Sequence, residues 1–202
     1  MIQIYILKGG KGYVKQVNWY NKLEFEGYYL NGERNGKGKE YYYDGENLIF
    51  EGEYLNGEKN GKGKEYYISG LLLFEGEYLN GKRWNGKGYD PINSNIYILK
   101  DGKGYVKFYN SVGKLEFEGE YLNGEKNGKG KEYSDGILKF EGEYLNGQKN
   151  GKGKEYGIFG LELLFEGEYL NGKRWNGKGK EYDSDCKLLF DVEYLNGIKS
   201  KI

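Results

Sequence analysis

Residues 48–67 read LIFEGEYLNGEKNGKGKEYY. Leu48, Phe50, Gly52 and Tyr54 alternate with Ile49, Glu51, Glu53 and Leu55. Strict alternation over seven or eight residues is the mark of a β-strand with two different faces. The Asn- and Gly-rich stretch that follows marks a tight turn, and a second strand follows it. The segment therefore predicts one β-hairpin. A four-residue loop over residues 57–60 would set Tyr54 opposite Gly63 and Glu53 opposite Lys64. One face would carry Leu48, Phe50, Tyr54 and Tyr67. The other would carry Glu51, Glu53, Lys62 and Lys64, with cross-strand charge pairs contributing roughly 0.2–1 kcal/mol each. A glycine inside a strand costs roughly 0.5–1 kcal/mol against alanine. An aromatic ring lying close on the backbone would explain Gly52, Gly61 and Gly63.

The same hairpin returns along the chain. The Gly-Lys-Gly triplet begins at Gly10, Gly36, Gly61, Gly86, Gly102, Gly128, Gly151 and Gly177, and the strand phenylalanine stands at Phe25, Phe50, Phe74, Phe117, Phe140, Phe165 and Phe190. The series breaks near residues 82–107, KRWNGKGYDPINSNIYILKDGKGYVK, which hold the only proline. A longer period accounts for the break. IYILKGGKGYVK from Ile4 reappears as IYILKDGKGYVK from Ile96, and the later triplets match at offsets of 90–92 residues. The chain is a tandem duplication of about 91 residues. Three parts are expected: 1–91, its duplicate 92–186, and a shortened closing repeat over 187–202, since stacked repeats commonly end in an atypical cap. Pro91 cannot donate to a sheet ladder, so a bend or bulge is expected at the seam.

Composition supports this. Of 202 residues, 36 are Gly and 23 are Tyr, while Ala, Thr and His are absent. Glycine is a poor helix former, and aromatic residues suit a pleated surface. The expected fold is all-β: an elongated single-layer antiparallel sheet of tandem hairpins. Sixteen strands at roughly 4.8 Å each would span about 77 Å in one continuous sheet.

FEGEYLNG followed by NGKG resembles the MORN (membrane occupation and recognition nexus) repeat. That repeat usually reads Tyr-Glu-Gly-Glu-Trp, then Asn-Gly-Lys, then Gly-x-Gly. Phe50-Glu51-Gly52-Glu53-Tyr54 with Gly61 and Gly63 matches, and so do the units at Phe74, Phe117, Phe140 and Phe165. Phe25 departs at Tyr28, and the last unit has Asp191-Val192 in place of Glu-Gly. The resemblance implies a scaffold that tethers membranes, builds assemblies or dimerises, with no catalytic domain of its own in view.

Catalytic and ligand motifs fail on spacing. GEKNGKGK from Gly57 lacks the Ser or Thr and the helix of a phosphate loop. Asp183-Ser184-Asp185 lacks the glycine and closing glutamate of a calcium loop. Without His, imidazole acid–base catalysis is excluded, and Cys186 has no His partner. No metal or cofactor is expected, and the chain is read as a non-enzyme. Lys+Arg and Asp+Glu are both 31, which argues against nucleic acid. No small-molecule substrate is evident. One cysteine and a poor secretory signal lead us to expect a cytoplasmic protein.

Trp84 and Trp175 stand out. Each lengthens the turn region by one residue, KRWNG against EKNG, at equivalent places in the two halves. Beside Arg83 and Arg174 they are the candidate anchors for a protein partner. Trp19 is expected to pack in the strand before Leu23. The functional expectation is a non-enzymatic scaffold for protein–protein interaction or self-association. The alternative is a peripheral module for anionic phospholipid membranes.

Overall fold

The computed structural model describes residues 2–4, 9–91, 95–183 and 187–202. Cys186, Ser184 and Asp185 lie outside the described residues, as do the expected part boundaries at 92 and 186. The described residues form eighteen β-strands and no helix. They are β1 (Ile2–Ile4), β2 (Lys11–Val17), β3 (Leu23–Leu30), β4 (Glu33–Tyr41), β5 (Leu48–Leu55), β6 (Glu58–Tyr66), β7 (Leu72–Leu79), β8 (Lys82–Tyr89) and β9 (Asn95–Leu99). Then come β10 (Gly104–Tyr109), β11 (Leu115–Leu122), β12 (Glu125–Ser134), β13 (Ile137–Leu145), β14 (Gln148–Tyr156), β15 (Leu163–Leu170), β16 (Lys173–Tyr182), β17 (Leu188–Leu195) and β18 (Ile198–Lys201).

Within each sheet every strand pairs antiparallel with its neighbours in sequence, as tandem hairpins require. The single continuous sheet expected from the repeats is replaced by two sheets of nine strands, β1–β9 and β10–β18. Across the Asp101-Gly102 turn the ladder shrinks to one isolated bridge, Lys100 to Lys103, so β9 ends one sheet and β10 opens the next. The seam of the duplication and the limit of the sheet are therefore different places. β9 is the reason. Its IYIL segment supplies the strand that the missing FEGEY would have supplied, pairing Gly88 with Tyr97 and Gly86 with Leu99 on β8. The chain divides into two compact units, the first reaching Gly104 and including Tyr109–Gly113, the second holding Tyr105–Phe108 and Lys114–Ile202.

The expected turn is corrected. Leu55 pairs with Glu58, so the hairpin turns on two residues, Asn56 and Gly57, not on a loop over 57–60. Both have positive φ, 50° and 83°, the backbone that lets a two-residue turn match the twist of its strands. Tyr54 then faces Lys59, and Gly52 faces Gly63. Between these pairs β6 carries Asn60, Gly61 and Lys62 against Glu53 alone, a bulge with two extra residues. Gly61, at φ 95°, takes the bend. Glu53 reaches over the bulge and accepts the Lys62 N–H at 3.0 Å, but the same bulge forms in the β3–β4 hairpin, where Tyr28 stands in the place of Glu53 between the pairs Gly27–Gly38 and Tyr29–Arg34.

The register lines the strand glycines into a row across each sheet. In the first sheet it runs Gly27, Gly38, Gly52, Gly63, Gly76, Gly86. In the second it runs Gly119, Gly130, Gly142, Gly153, Gly167, Gly177. On one side of this row lie the phenylalanines. A Cβ on Gly52 would stand 2.5 Å from the Phe50 ring, and one on Gly63 2.6 Å from it. The ring lies on bare backbone at Gly52 and Gly63, as expected; Gly61 differs, since the Glu53 side chain and not a ring lies against it.

Candidate interaction surface

The phenylalanine face is closed by its own side chains. Phe25, Phe50, Phe74, Phe140 and Phe165 are wholly buried although each sheet is a single layer. Two tyrosines meet Phe50 edge-on, Tyr54 at 5.4 Å and Tyr78 of the next hairpin at 5.2 Å. Such contacts add about 0.5–1.5 kcal/mol beyond burial. A cation lies over each ring: Arg34 on Phe25 at 4.1 Å, Lys59 on Phe50 at 4.2 Å, Lys126 on Phe117 at 4.5 Å and Lys149 on Phe140 at 4.2 Å. Glutamates from the GKGKEY strands hold the cations in place. Lys59 bridges Glu40 at 3.5 Å and Glu65 at 3.2 Å, and Lys126 and Lys149 share Glu132 at 2.6 and 3.2 Å.

These lids shift the titrating groups. Burial pushes the Glu65 carboxyl up, but the charges of Arg83 and Lys59 outweigh it and hold the group below its ordinary value. Glu132 behaves alike, burial opposing Lys126 and Lys149. Burial, aided by Glu40, pushes the Tyr54 phenol well up. Sequence reasoning missed the lid. Its signal was present: a basic residue recurs at Arg34, Lys59, Arg83, Lys126, Lys149 and Arg174, three places after the turn asparagine.

Arg83 and Arg174, expected as partner anchors, belong to the same lid. Arg83 lies 5.0 Å from the Phe74 ring, pairs with Glu65 and donates to the Tyr97 hydroxyl at 2.9 Å. Arg174 lies 5.2 Å from Phe165, pairs with Glu155 at 3.0 Å and donates to Tyr194 at 3.1 Å. Trp84 and Trp175 are half-buried. They do not lengthen the turn, which stays at Asn80-Gly81 and Asn171-Gly172. Each forms a one-residue bulge on β8 or β16, and the pairing moves so that Gly76 meets Gly86 and Gly167 meets Gly177. Their carbonyls accept the N–H of Gly102 and of Gly197, both at 2.8 Å. Trp19 does not pack in a strand; it is fully exposed in the turn before β3, because Asn18 N–H and O close that turn onto Lys22 and Asn21.

The other face is open, polar and concave. In the first sheet Glu26, Lys39, Glu51, Lys64, Glu75 and Lys87 follow one another across the strands. Lys37 faces Glu53 and Lys62 faces Glu77 beside them. The glycine row between these ladders leaves peptide backbone as the floor of a concavity of about 740 Å³. The second sheet repeats it with about 550 Å³, lined by Lys129, Lys131, Glu141, Glu143, Lys152 and Lys154 among others. Tyrosines brace the glutamates: Tyr41 donates to Glu26 at 2.8 Å, Tyr66 to Glu51 at 2.6 Å, Tyr133 to Glu118 at 2.8 Å and Tyr156 to Glu141 at 2.7 Å. Among the described residues no cluster of His, Cys, Asp and Glu could hold a metal ion.

Glycine row, lidded phenylalanine and Glu/Lys ladder repeat hairpin after hairpin, and the model of the MORN repeat matches five times, at residues 25–46, 50–71, 117–137, 140–157 and 165–185. The chain belongs to the MORN repeat family. MORN repeats are non-catalytic and serve in protein or membrane interactions. No curated protein matches the chain. Of the MORN units that the sequence resemblance placed, the family model finds those at Phe25, Phe50, Phe117, Phe140 and Phe165; the unit at Phe74 lies outside its matches.

Proposed function

We propose that this MORN chain is a non-enzymatic interaction scaffold that receives a protein segment, from another protein or a second copy, on its concave Glu/Lys face. One observation carries the reading: the phenylalanine face is covered by Arg and Lys lids, whereas the Glu/Lys face is open over a backbone floor. A segment laid there meets ordered charges, since tyrosines hold the glutamates in place. Ordered charges favour recognition because less side-chain freedom is lost on binding. Trp84 and Trp175, at the bulges, serve as additional contacts in this proposal.

A second reading is an anionic phospholipid surface. It draws on Lys37, Lys39, Lys62 and Lys87, which make no ion pair among the described residues. Against it, Glu26, Glu51, Glu53, Glu75 and Glu77 share that surface, and polybasic lipid recognition wants roughly 4–8 basic residues without compensating acid. The test is affinity capture with the wild-type chain, with Lys37→Glu/Lys62→Glu and with Trp84→Ala/Trp175→Ala, together with the mass in solution and flotation with anionic vesicles. Loss of a specific partner, or of self-association, in the lysine variant supports the proposal. Salt-sensitive flotation without any captured or self-associated protein replaces it with the lipid reading.

A further inference from the structure

The two halves part company at one turn. In the first half Tyr67 N donates to Leu71 O and Gly70 N to Tyr67 O, both at 2.9 Å. In the second, Gly157 N donates to Glu162 O at 2.8 Å and Gly160 N to Gly157 O at 3.0 Å. Gly157 thus stands at the place of Tyr67, in a turn lengthened by one residue, Glu162. Tyr67 is 2% exposed and its hydroxyl donates to Tyr89 O at 2.8 Å. Gly157 brings no ring. Two neighbours change with it, Lys139 for Ile49 and Lys180 for Tyr89. Where the first half has a tyrosine plug, the second has a cavity of about 570 Å³. That volume is in the range of small-molecule sites, roughly 300–1,000 Å³.

The chemistry of the lining narrows the occupant. Glu162 Oε2 is buried and has no hydrogen-bond partner. It lies 2.7 Å from where a Cβ on residue 157 would stand, at the root of the space a tyrosine there would use. A buried acceptor without a donor is costly, so an occupant that donates to it gains. Lys139 does not supply the donor: its Nζ is turned to Gly157 O at 2.8 Å and to Ile158 O, and Glu162 Oε2 is left without a partner. Three cations, Lys139, Arg174 and Lys180, and three carboxylates, Glu162, Glu181 and Asp183, line the cavity. That balance gives an ammonium ligand no net attraction, so a neutral donor suits it better. Tyr156, Ile158 and Leu164 supply apolar wall.

We propose that this cavity binds a phenol. The ring takes the room that the Tyr67 ring takes in the first half, and the Glu162 carboxylate turns toward the hydroxyl, which gives its buried, unpartnered Oε2 a donor. The phenol is either a free small molecule or a tyrosine side chain of a bound partner; the recognition chemistry is the same. The site is independent of the concave face and stands or falls separately from it.

The test uses the full chain with p-cresol, toluene and a blocked Gly-Tyr-Gly tripeptide, followed by NMR shifts and thermal stabilisation. Saturable p-cresol binding is expected, with toluene roughly tenfold weaker for want of the hydroxyl. Gly157→Tyr should abolish it by restoring the plug, and Glu162→Met should bring p-cresol down to the level of toluene. Tripeptide binding assigns the site to a partner's tyrosine, and p-cresol binding alone assigns it to a free phenol. No saturable p-cresol binding, p-cresol binding indifferent to both substitutions, or toluene binding as tightly as p-cresol overturns the proposal.

Discussion

The ring of Phe50 packs against the backbone of Gly63 in the neighbouring strand, so close that a Cβ on Gly63 would stand 2.6 Å from two of its carbons. The same ring covers Gly52, where a Cβ would also meet Gly63 Cα and Lys62 O, both at 2.7 Å. Rings can shift more easily than paired backbone. Gly63→Ala should cost about 1–3 kcal/mol, as overpacking does, and Gly52→Ala should cost more. Gly57 is the control: a Cβ there meets nothing within 4 Å, but φ is 83°. Gly57→Ala should cost about 1–2 kcal/mol from left-handed strain alone, and Gly57→Asn less. Urea denaturation of the four variants checks the order.

Lys59 is expected to work as a lid more than as a lone charge. It covers Phe50 and bridges two glutamates. Lys59→Met keeps an apolar stem on the ring and should cost about 1 kcal/mol, the scale of a cation–π contact. Glu65→Ala leaves both Lys59 and Arg83 without this partner and should cost about 3 kcal/mol, at the low end for breaking a buried pair. A double-mutant cycle should show the two sites coupled; additive effects would remove the lid from the account.

Acid should unfold the chain from below the ordinary glutamate range. Glu65, Glu132 and Glu155 are each raised by burial but lowered on balance by their Lys and Arg partners. Their folded forms bind fewer protons than the unfolded chain near pH 4.5 and below, so the stability they supply is present above that range and is lost as pH falls through their depressed values. Circular dichroism between pH 7 and 2 should show the loss, and Glu65→Gln should flatten part of the slope.

Alkali should act on the tyrosines in the opposite sense. Burial, then the hydrogen bond to Glu51, pushes the Tyr66 phenol up, and Tyr133 is pushed up in the same way beside Glu118. Tyr156 is pushed up to about 12 by burial and Glu141. These groups stay protonated in the folded chain after the unfolded chain has begun to ionise near pH 10. Their stabilisation is complete below that pH and is lost as pH rises toward the raised values. Tyrosinate absorbance should therefore lag behind that of the urea-unfolded chain, and coincidence of the two curves would refute the packing around these hydroxyls.

Much of this fold was written in local pattern. Alternation in LIFEGEYL set Phe50 and Tyr54 on one face and Glu51 and Glu53 on the other, because successive side chains in a strand point opposite ways. The Asn-Gly pairs placed the reversals. The turn length was misread because EKNG looks like part of a loop; only the cross-strand register, with Tyr54 facing Lys59 and Gly52 facing Gly63, shows it to be a bulge in a strand. Trp84 and Trp175 misled for the same reason, their extra residue being taken up by the ladder and not by the turn. Trp19 was assigned to a strand that the Asn18–Lys22 turn interrupts.

The sequence by itself determined the hairpins, the duplication of about 91 residues and the chemistry of each face, since all three depend on neighbours along the chain. Tertiary structure alone decided which residues meet across strands. It set Lys59 between Glu40 and Glu65 above Phe50, committed Arg83 and Arg174 to the lid, and made of Gly157 and Glu162 a cavity where Tyr67 is a plug. The physical reason is register. A shift of two residues keeps every side chain on its own face, and so leaves the sequence pattern intact, yet it changes every cross-strand partner.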